Sequence, residues 1–255
     1  MELIFSDQAS PPQIGAFLSL LSAKGETVGE VTEIAKILHK EMIKIDGLKG
    51  ALDIVGTGGD GYDTINVSTM ASFVCAYMGV PVAKHGTRAL SSKCGSFDLL
   101  DALSVPIKQN PEEVKKDFKK NNIAFLFAPY FHPALKKLHP VRKELGIRTI
   151  FNFVGPLLNP GNVSYQVVGV SSGALAENIG ETLMNLGRKR ALIIHSRDSL
   201  DEASVSAPTD VYDYAPKRPM RHYVIRPKIY YSIESIRGGL PEENAARFKA
   251  ILSGG

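Results

Sequence analysis

The stretch DIVGTGGDGYDTINVST, residues 53–69, places glycine at positions 56, 58, 59 and 61. Gly56-x-Gly58-x-x-Gly61 has the spacing of a dinucleotide-binding turn, in which a strand runs into a glycine loop and then a helix. That ligand also needs an acidic residue about 20 positions further on to hold its ribose hydroxyls. No Asp or Glu occurs between Thr64 and Phe97, and the interval carries Lys84, Arg88 and Lys93 instead. A phosphate-rich ligand fits better. Glycines let backbone N–H groups approach an anion without a Cβ in the way. Asn66 to Thr69 add hydroxyls and free N–H groups at the start of the next helix, where the dipole favours negative charge. KHGTRALSS, 84–92, adds cations and two more hydroxyls after the following strand. Three such stretches at or just after the carboxyl ends of neighbouring strands describe the ligand side of an α/β sheet.

Outward from this point the chain alternates between strand and helix texture. ALDIVG, VPVAKHG, IAFLFAP, YQVVGV and RALIIHS read as strands, with shorter β-like pieces up to HYVIRP. Between them lie a helix with Met70, Phe73, Val74 and Tyr77 on one side, a helix beginning at GSFDLLDAL, a lysine-rich helix capped by Asn110-Pro111, helical texture over 132–146, and a helix over 174–186. A final helix opens at Pro241. This alternation predicts a central, mostly parallel sheet flanked by helices. The first 45 residues are different. Pro11 and Pro12 open a helix whose stripe is Ile14, Phe17, Leu18 and Leu21, and Gly25 ends it. Thr27-x-x-Glu30 is a capping box for a second helix with stripe Val31, Ile34, Ala35, Leu38 and Met42. The fold expected is α/β: a small all-helical domain, 1–47 joined in space by roughly 131–147, and a larger α/β domain over 48–130 and 148–255.

Among 255 residues, 44% are hydrophobic and 22% charged, with a net charge of +4, which is ordinary for a globular protein. The basic cluster Lys115, Lys116, Lys119 and Lys120 alternates with Glu112, Glu113 and Asp117 and reads as a solvated helix face, so no nucleic-acid partner is expected. No apolar run reaches the roughly 18 residues of a spanning helix, so no membrane partner is expected either. MELIFSDQAS lacks the basic start and long apolar stretch of a signal peptide, and Cys75 and Cys94 sit in no metal or disulfide pattern. The expectation is a reduced, cytoplasmic protein.

The segments GTGGDGYDTINVST, KHGTRALSSKCGSFDLLDAL, FAPYFHPALKKLHPVRKELGIRTIFNFVGPLLNP and LDEASV follow the order seen in the anthranilate phosphoribosyltransferase family, which the chain resembles from about Pro11 onward. The wider fold family, the nucleoside phosphorylase-like phosphoribosyltransferases, shares the GTGG turn and Lys-His-Gly, whereas RKELGIRTIFNFVGPLLNP belongs to the anthranilate branch. The resemblance implies transfer of the 5-phosphoribosyl group of phosphoribosyl pyrophosphate to the amino group of anthranilate in tryptophan biosynthesis, without a covalent nucleophile. It implies a donor site at Gly56, Gly58, Gly59, Asp60, Thr64, Asn66, Val67, Ser68, Thr69, Lys84, His85, Gly86, Arg88, Ser91, Ser92 and Ser96. The acceptor would meet Gly56, Thr87, His85, Tyr130, His132, Arg142 and Pro156, with the Arg142 guanidinium on the anthranilate carboxylate. Ser68, Asp201 and Glu202 would hold magnesium, as two ions, and the helical domain would form a homodimer.

Four residues depart from the family pattern: Thr87 replaces an Asn in contact with the acceptor, and Phe97, Asp101 and Ser104 replace Ala, Glu and Gly. The chain also stops at ILSGG, where the family continues for several helices. Two alternatives stay open on the sequence. One is a related transferase or pyrimidine nucleoside phosphorylase with another acceptor. The other is a non-catalytic nucleic-acid-binding relative, which would predict a more basic chain without the Asp201-Glu202 pair.

Overall fold

The computed structural model describes residues 1–6, 8–89 and 92–254. After a short turn of helix, α1 (Glu2–Phe5), come α2 (Pro11–Lys24) and α3 (Val28–Glu41). Both long helices begin in capping boxes. The Ser10 N–H donates to Gln13 Oε1 at 2.9 Å, and the Thr27 N–H to Glu30 Oε2 at 3.0 Å. Each box satisfies N–H groups that a helix start leaves without partners.

The remainder is built on β1 (Leu52–Gly56), β2 (Val82–Gly86), β3 (Ile123–Phe127), β4 (Tyr165–Gly169), β5 (Arg190–Ser196), β6 (Thr209–Tyr214) and β7 (Arg221–Ile225). They form one sheet in the order β3-β2-β1-β4-β5-β6-β7. The first five strands run parallel, while β6 and β7 add an antiparallel edge. Connecting helices are α4 (Val67–Tyr77), α5 (Ser96–Ala102), α6 (Pro111–Asn121), α7 (Ala128–Phe131), α8 (His139–Leu145) and α9 (Ala174–Asn185), and α10 (Pro241–Leu252) follows the sheet. Chain direction across the sheet reverses at β1, with β2 on one side and β4 on the other. In an open α/β sheet that position leaves a crevice at the carboxyl ends of the strands, and the glycine turn starts there.

Two helical stripes differ from the sequence expectation. In α4 the inward residues are Thr69, Met70, Ser72 and Ala76, while Tyr77 is 93% exposed and Val74 is exposed as well. Met70 is buried and Phe73 packs against Phe125 and Phe248 as expected, so the inward face is apolar there and is completed by the small Thr69, Ser72 and Ala76 rather than by Val74 and Tyr77. In α2, Phe17 is 39% exposed although Ile14, Leu18 and Leu21 are buried. Within the segment 132–146, Pro133–Leu138 is a 3-10 helix and His139–Leu145 an α-helix, with His132 and Gly146 flanking them as caps.

One apolar cluster joins the N-terminal helices to the sheet. Leu18 of α2, Leu38 of α3 and Leu138 contact a continuous set that includes Ile150, Leu157, Val168 of β4, Ile179 of α9 and Ile193 of β5. A second cluster, with Ile45, Leu48, Ala83, Leu126, Phe131 and Val163, packs along β2 and β3. Among the described residues no helix is long and apolar enough to cross a membrane.

Candidate active site

One cleft of about 1230 Å³ opens at the carboxyl ends of β1 and β2 and reaches to α8. It exceeds the roughly 300–1,000 Å³ of an ordinary single-ligand pocket, leaving room for two small molecules side by side. Its walls contain most of the expected residues: Gly56, Gly58, Gly59, Asp60, Thr64, Asn66, Ser68, Lys84, His85, Gly86, Thr87, Arg88, Ser92, Ser96, His132, Arg142, Pro156, Asp201 and Glu202. Ser91 lies outside the described residues. Val67, Thr69 and Tyr130 are not brought to the cleft wall. Thr69 is fully buried on the sheet side of α4, Tyr130 packs edge-on against Phe127 with ring centroids 4.9 Å apart, and Val67 lies in the first turn of α4.

The glycines in the turn have separate causes. Gly58, Gly59 and Gly61 take φ of 67°, 77° and 81°, which L side chains rarely adopt. Gly56 has ordinary backbone, yet a Cβ there would overlap Asp201 Oδ2. The same carboxylate oxygen accepts the Gly58 N–H at 2.7 Å, and Tyr62 Oη donates to the Asp198 carbonyl at 3.2 Å. The turn is therefore stapled to the acidic loop that follows β5.

Lys84 is only 1% exposed. Its ammonium donates to the Ile54 carbonyl at 2.6 Å and to Ser68 Oγ at 3.3 Å. Burial lowers its pKa, opposed by the charges of Asp53, Glu202 and Asp201. The acidic loop shows the converse effect. Burial and the neighbouring Asp201 charge push Glu202 up to about 8, and burial with Asp60 raises Asp201. Carboxylates that raise one another's pKa concentrate negative potential that a cation relieves. Among the described residues no group of three or more His, Cys, Asp or Glu side chains forms a metal cage. Magnesium does not need one: it takes hard oxygens, keeps waters, and commonly uses one or two carboxylates together with substrate phosphates. The Ser68, Asp201 and Glu202 oxygens fit that demand.

Arg88 borders the cleft, ion-paired with Asp98 and Asp101, its guanidinium 5.6 Å from the centre of the Phe127 ring. Asp98 also accepts the Ala89 and Gly95 N–H groups at 2.8 and 2.9 Å, tying both residues to the first turn of α5. Phe97, one of the departures from the family pattern, is buried against Phe127, with centroids 4.7 Å apart, and does not line the cleft.

Opposite this wall, His85 of β2 and His132 meet through their Nε2 atoms at 3.1 Å. Burial holds both rings neutral, taking His132 down to about 4 and His85 well below its ordinary value. A neutral pair can share one N–H between its facing nitrogens. From α8, Arg142 Nη2 donates to the Phe151 carbonyl at 3.3 Å, and the guanidinium stands 5.5 Å from the Phe151 ring centre. Its remaining N–H groups make a fork suited to a carboxylate.

Arg148 on the cleft wall and Asn244 behind it escape the sequence reading. Arg148 donates to the Gly59 carbonyl at 3.4 Å, while its own carbonyl accepts the Ser22 hydroxyl of α2 at 2.9 Å, so it ties the helices to the glycine turn. Asn244 of α10, fully buried, donates to Asn66 Oδ1 at 3.0 Å, and Asn66 Nδ2 donates to the Cys94 carbonyl at 2.9 Å. These links connect residues far apart in sequence and leave no spacing signal.

Comparison with known proteins agrees with this architecture. Residues 48–255 match the model described as glycosyl transferase family, a/b domain, and residues 1–42 match glycosyl transferase family, helical bundle domain. The anthranilate phosphoribosyltransferase of Herpetosiphon aurantiacus is 45% identical over 258 residues, covering 100% of this chain and 76% of the relative. The crystal structure of the Thermus thermophilus anthranilate phosphoribosyltransferase superposes with a TM-score of 0.91 at 38% identity, over 99% of this chain and 76% of the other. The Saccharomyces cerevisiae enzyme in complex with PRPP and Mg gives 0.84 at 30% identity, over 94% and 68%. The same yeast enzyme with 4-fluoroanthranilate gives 0.82, also at 30% identity, over 94% and 67%. Glycine turn, acidic loop and helical lobe thus sit in a chain that belongs to the glycosyl transferase family, within its anthranilate phosphoribosyltransferases.

Proposed function

We infer that the chain transfers the 5-phosphoribosyl group of phosphoribosyl pyrophosphate to the amino group of anthranilate, releasing pyrophosphate and forming N-(5-phosphoribosyl)anthranilate in tryptophan biosynthesis. The observation that carries the reading is the single cleft with anion-binding backbone and Lys84 at one end and Arg142 at the other. In this reading the donor lies against the glycine turn and the start of α4, where backbone N–H groups and the helix dipole receive its phosphates. The acceptor lies between His85, His132 and Pro156, its carboxylate on Arg142.

No nucleophilic side chain is required, because an aromatic amine already has a lone pair. The residues orient that amine toward C1 of the ribose and hold the departing pyrophosphate. Magnesium on Ser68, Asp201 and Glu202, as two ions, would supply charge neutralisation to the leaving group when bound. An aromatic amine is unprotonated at neutral pH, and the neutral His85–His132 pair sets no positive charge beside it. We assign the acceptor mainly to a small lobe of 1–47 with 131–147, and the donor to 48–130 with 148–255. Closure of the lobes would keep water from an oxocarbenium-like centre. The enzyme would work in the cytoplasm as a homodimer joined through the helical lobe.

The test is turnover of anthranilate with phosphoribosyl pyrophosphate and magnesium, followed by loss of anthranilate fluorescence. Absence of turnover with anthranilate, together with turnover of another amine or a nucleoside, would replace this acceptor.

A further inference from the structure

Beneath the acceptor wall lies a buried polar chain, Arg188, Gln166 and Asp53, whose own side chains do not line the cleft. Arg188, between α9 and β5, is 1% exposed and lies outside the cleft. Its Nε donates to Gln166 Oε1 at 2.6 Å and its Nη1 to Asn162 Oδ1 at 3.1 Å. Gln166, on β4 and also buried, then has its amide nitrogen turned the other way, donating to the Pro156 carbonyl at 2.8 Å and toward Asp53 Oδ2 at 3.4 Å. The other oxygen of the fully buried Asp53 accepts the His85 N–H at 3.1 Å. One guanidinium therefore grips both ends of the segment 156–162, at Asn162 directly and at Pro156 through Gln166. Through Asp53 the same chain reaches the backbone of His85.

We propose that Arg188, acting through Gln166, is a positioning residue that sets the acceptor wall formed by Pro156 and His85. The chemistry of the amide makes the case. An amide has a donor end and an acceptor end, and Gln166 is useful here only if its donors face Pro156 and Asp53. Arg188 carries donors alone, so its bond to Oε1 permits only that orientation. Without it Oε1 is left buried with no donor, and only the Pro156 and Asp53 acceptors, the latter at 3.4 Å, still hold the amide in place. Nη2 of Arg188 has no hydrogen-bond partner. A fully buried cation with an unused donor is a poor device for stability, since apolar side chains of similar volume often serve as well or better. Its two directed bonds are what an apolar side chain cannot supply.

The proposal rests on the acceptor reading of this wall, and the test separates the two. Arg188→Met keeps much of the volume and removes every donor. Provided circular dichroism shows a folded chain, steady-state kinetics with each substrate varied should give an anthranilate KM raised about tenfold, the scale of one lost hydrogen bond, with the donor KM unchanged. Arg188→Lys keeps the charge opposite Asp53 and protects folding, but a single ammonium cannot bond Gln166 and Asn162 in the same fork; it should give the same split in weaker form. Hydrogen exchange at the His85 backbone amide needs no substrate and should quicken in both variants relative to other β2 amides. Parallel changes in both KM values, wild-type kinetics in Arg188→Lys, or unaltered exchange at His85 would each overturn the positioning role. A wild-type chain that ignores anthranilate would overturn the acceptor reading instead, leaving the exchange measurement to decide the role of Arg188.

Discussion

Gly56 and Gly58 are two positions apart in one turn, yet they resist substitution for different reasons. Gly58 has a left-handed φ and open space around its missing Cβ. Gly58→Ala should cost about 1–2 kcal/mol in backbone strain and set a methyl group where the donor's phosphates approach. Calorimetric titration is expected to show weakened donor binding with acceptor binding retained; unchanged donor affinity would mean that the turn only shapes the loop. Gly56→Ala should instead displace the Asp201 carboxylate and raise the magnesium requirement. The glycine spacing made an anion-binding turn legible in the sequence. It could not reveal Asp201 as the partner, because nothing links positions 56 and 201 except the fold. Asp53, Gln166 and Arg188 were illegible for the same reason, since a buried network has no periodicity. Glu202 offers a measurement with a sign. Its pKa, raised from 4.5 to about 8, keeps it protonated at neutral pH in the metal-free chain. Metal-free stability should fall as pH rises from about 4.5 to about 8, because the folded state then holds a proton that the unfolded state has lost. Magnesium should displace that proton at pH 7, so its binding enthalpy should vary with the ionisation enthalpy of the buffer. A buffer-independent enthalpy would remove Glu202 from the metal site.

Helices and strands were read most easily where one face is plainly apolar. The capping box at Thr27 and the stripe from Val31 to Leu38 appear in α3 as expected, with Met42 buried just past its end. In α4 the expected stripe holds at Met70 and Phe73 but not at Val74 and Tyr77, because Thr69 and Ser72 pack inward while Tyr77 points to solvent. Polarity is a poor guide where a helix must lie close on a sheet. α8 illustrates function at this scale: its seven residues, His139–Leu145, end at Gly146 in a left-handed conformation, and this short element presents Arg142 to the cleft. Arg142→Ala should raise the anthranilate KM by a factor equivalent to about 2–5 kcal/mol of lost binding if the carboxylate pair is desolvated, with the donor KM nearly constant. Equal effects on both substrates in steady-state kinetics would trace the loss to α8 packing against α2 rather than to a lost carboxylate partner.

At the scale of the molecule, Phe17 and Leu20 of α2 stand 39% and 71% exposed, three positions apart and so on one helix surface. A homodimer through the helical lobe would cover them. Leu20→Glu should lower the mass measured by sedimentation to that of one chain, and Tyr77→Glu on α4 should not. Equal masses for Leu20→Glu and wild type would move the interface elsewhere. The apolar cluster that runs from Leu18 and Leu38 through Ile150 to Val168 and Ile193 bears on how the chain comes apart. Although the helical and a/b models match separate stretches of sequence, the cluster ignores their boundary. Detaching α2 and α3 would expose Ile179 and Leu157 together with their own stripes, so partial melting carries much of the cost of complete melting. Heating should therefore give one calorimetric transition with matching van't Hoff and calorimetric enthalpies, and the first 42 residues expressed alone should fail to hold their helices.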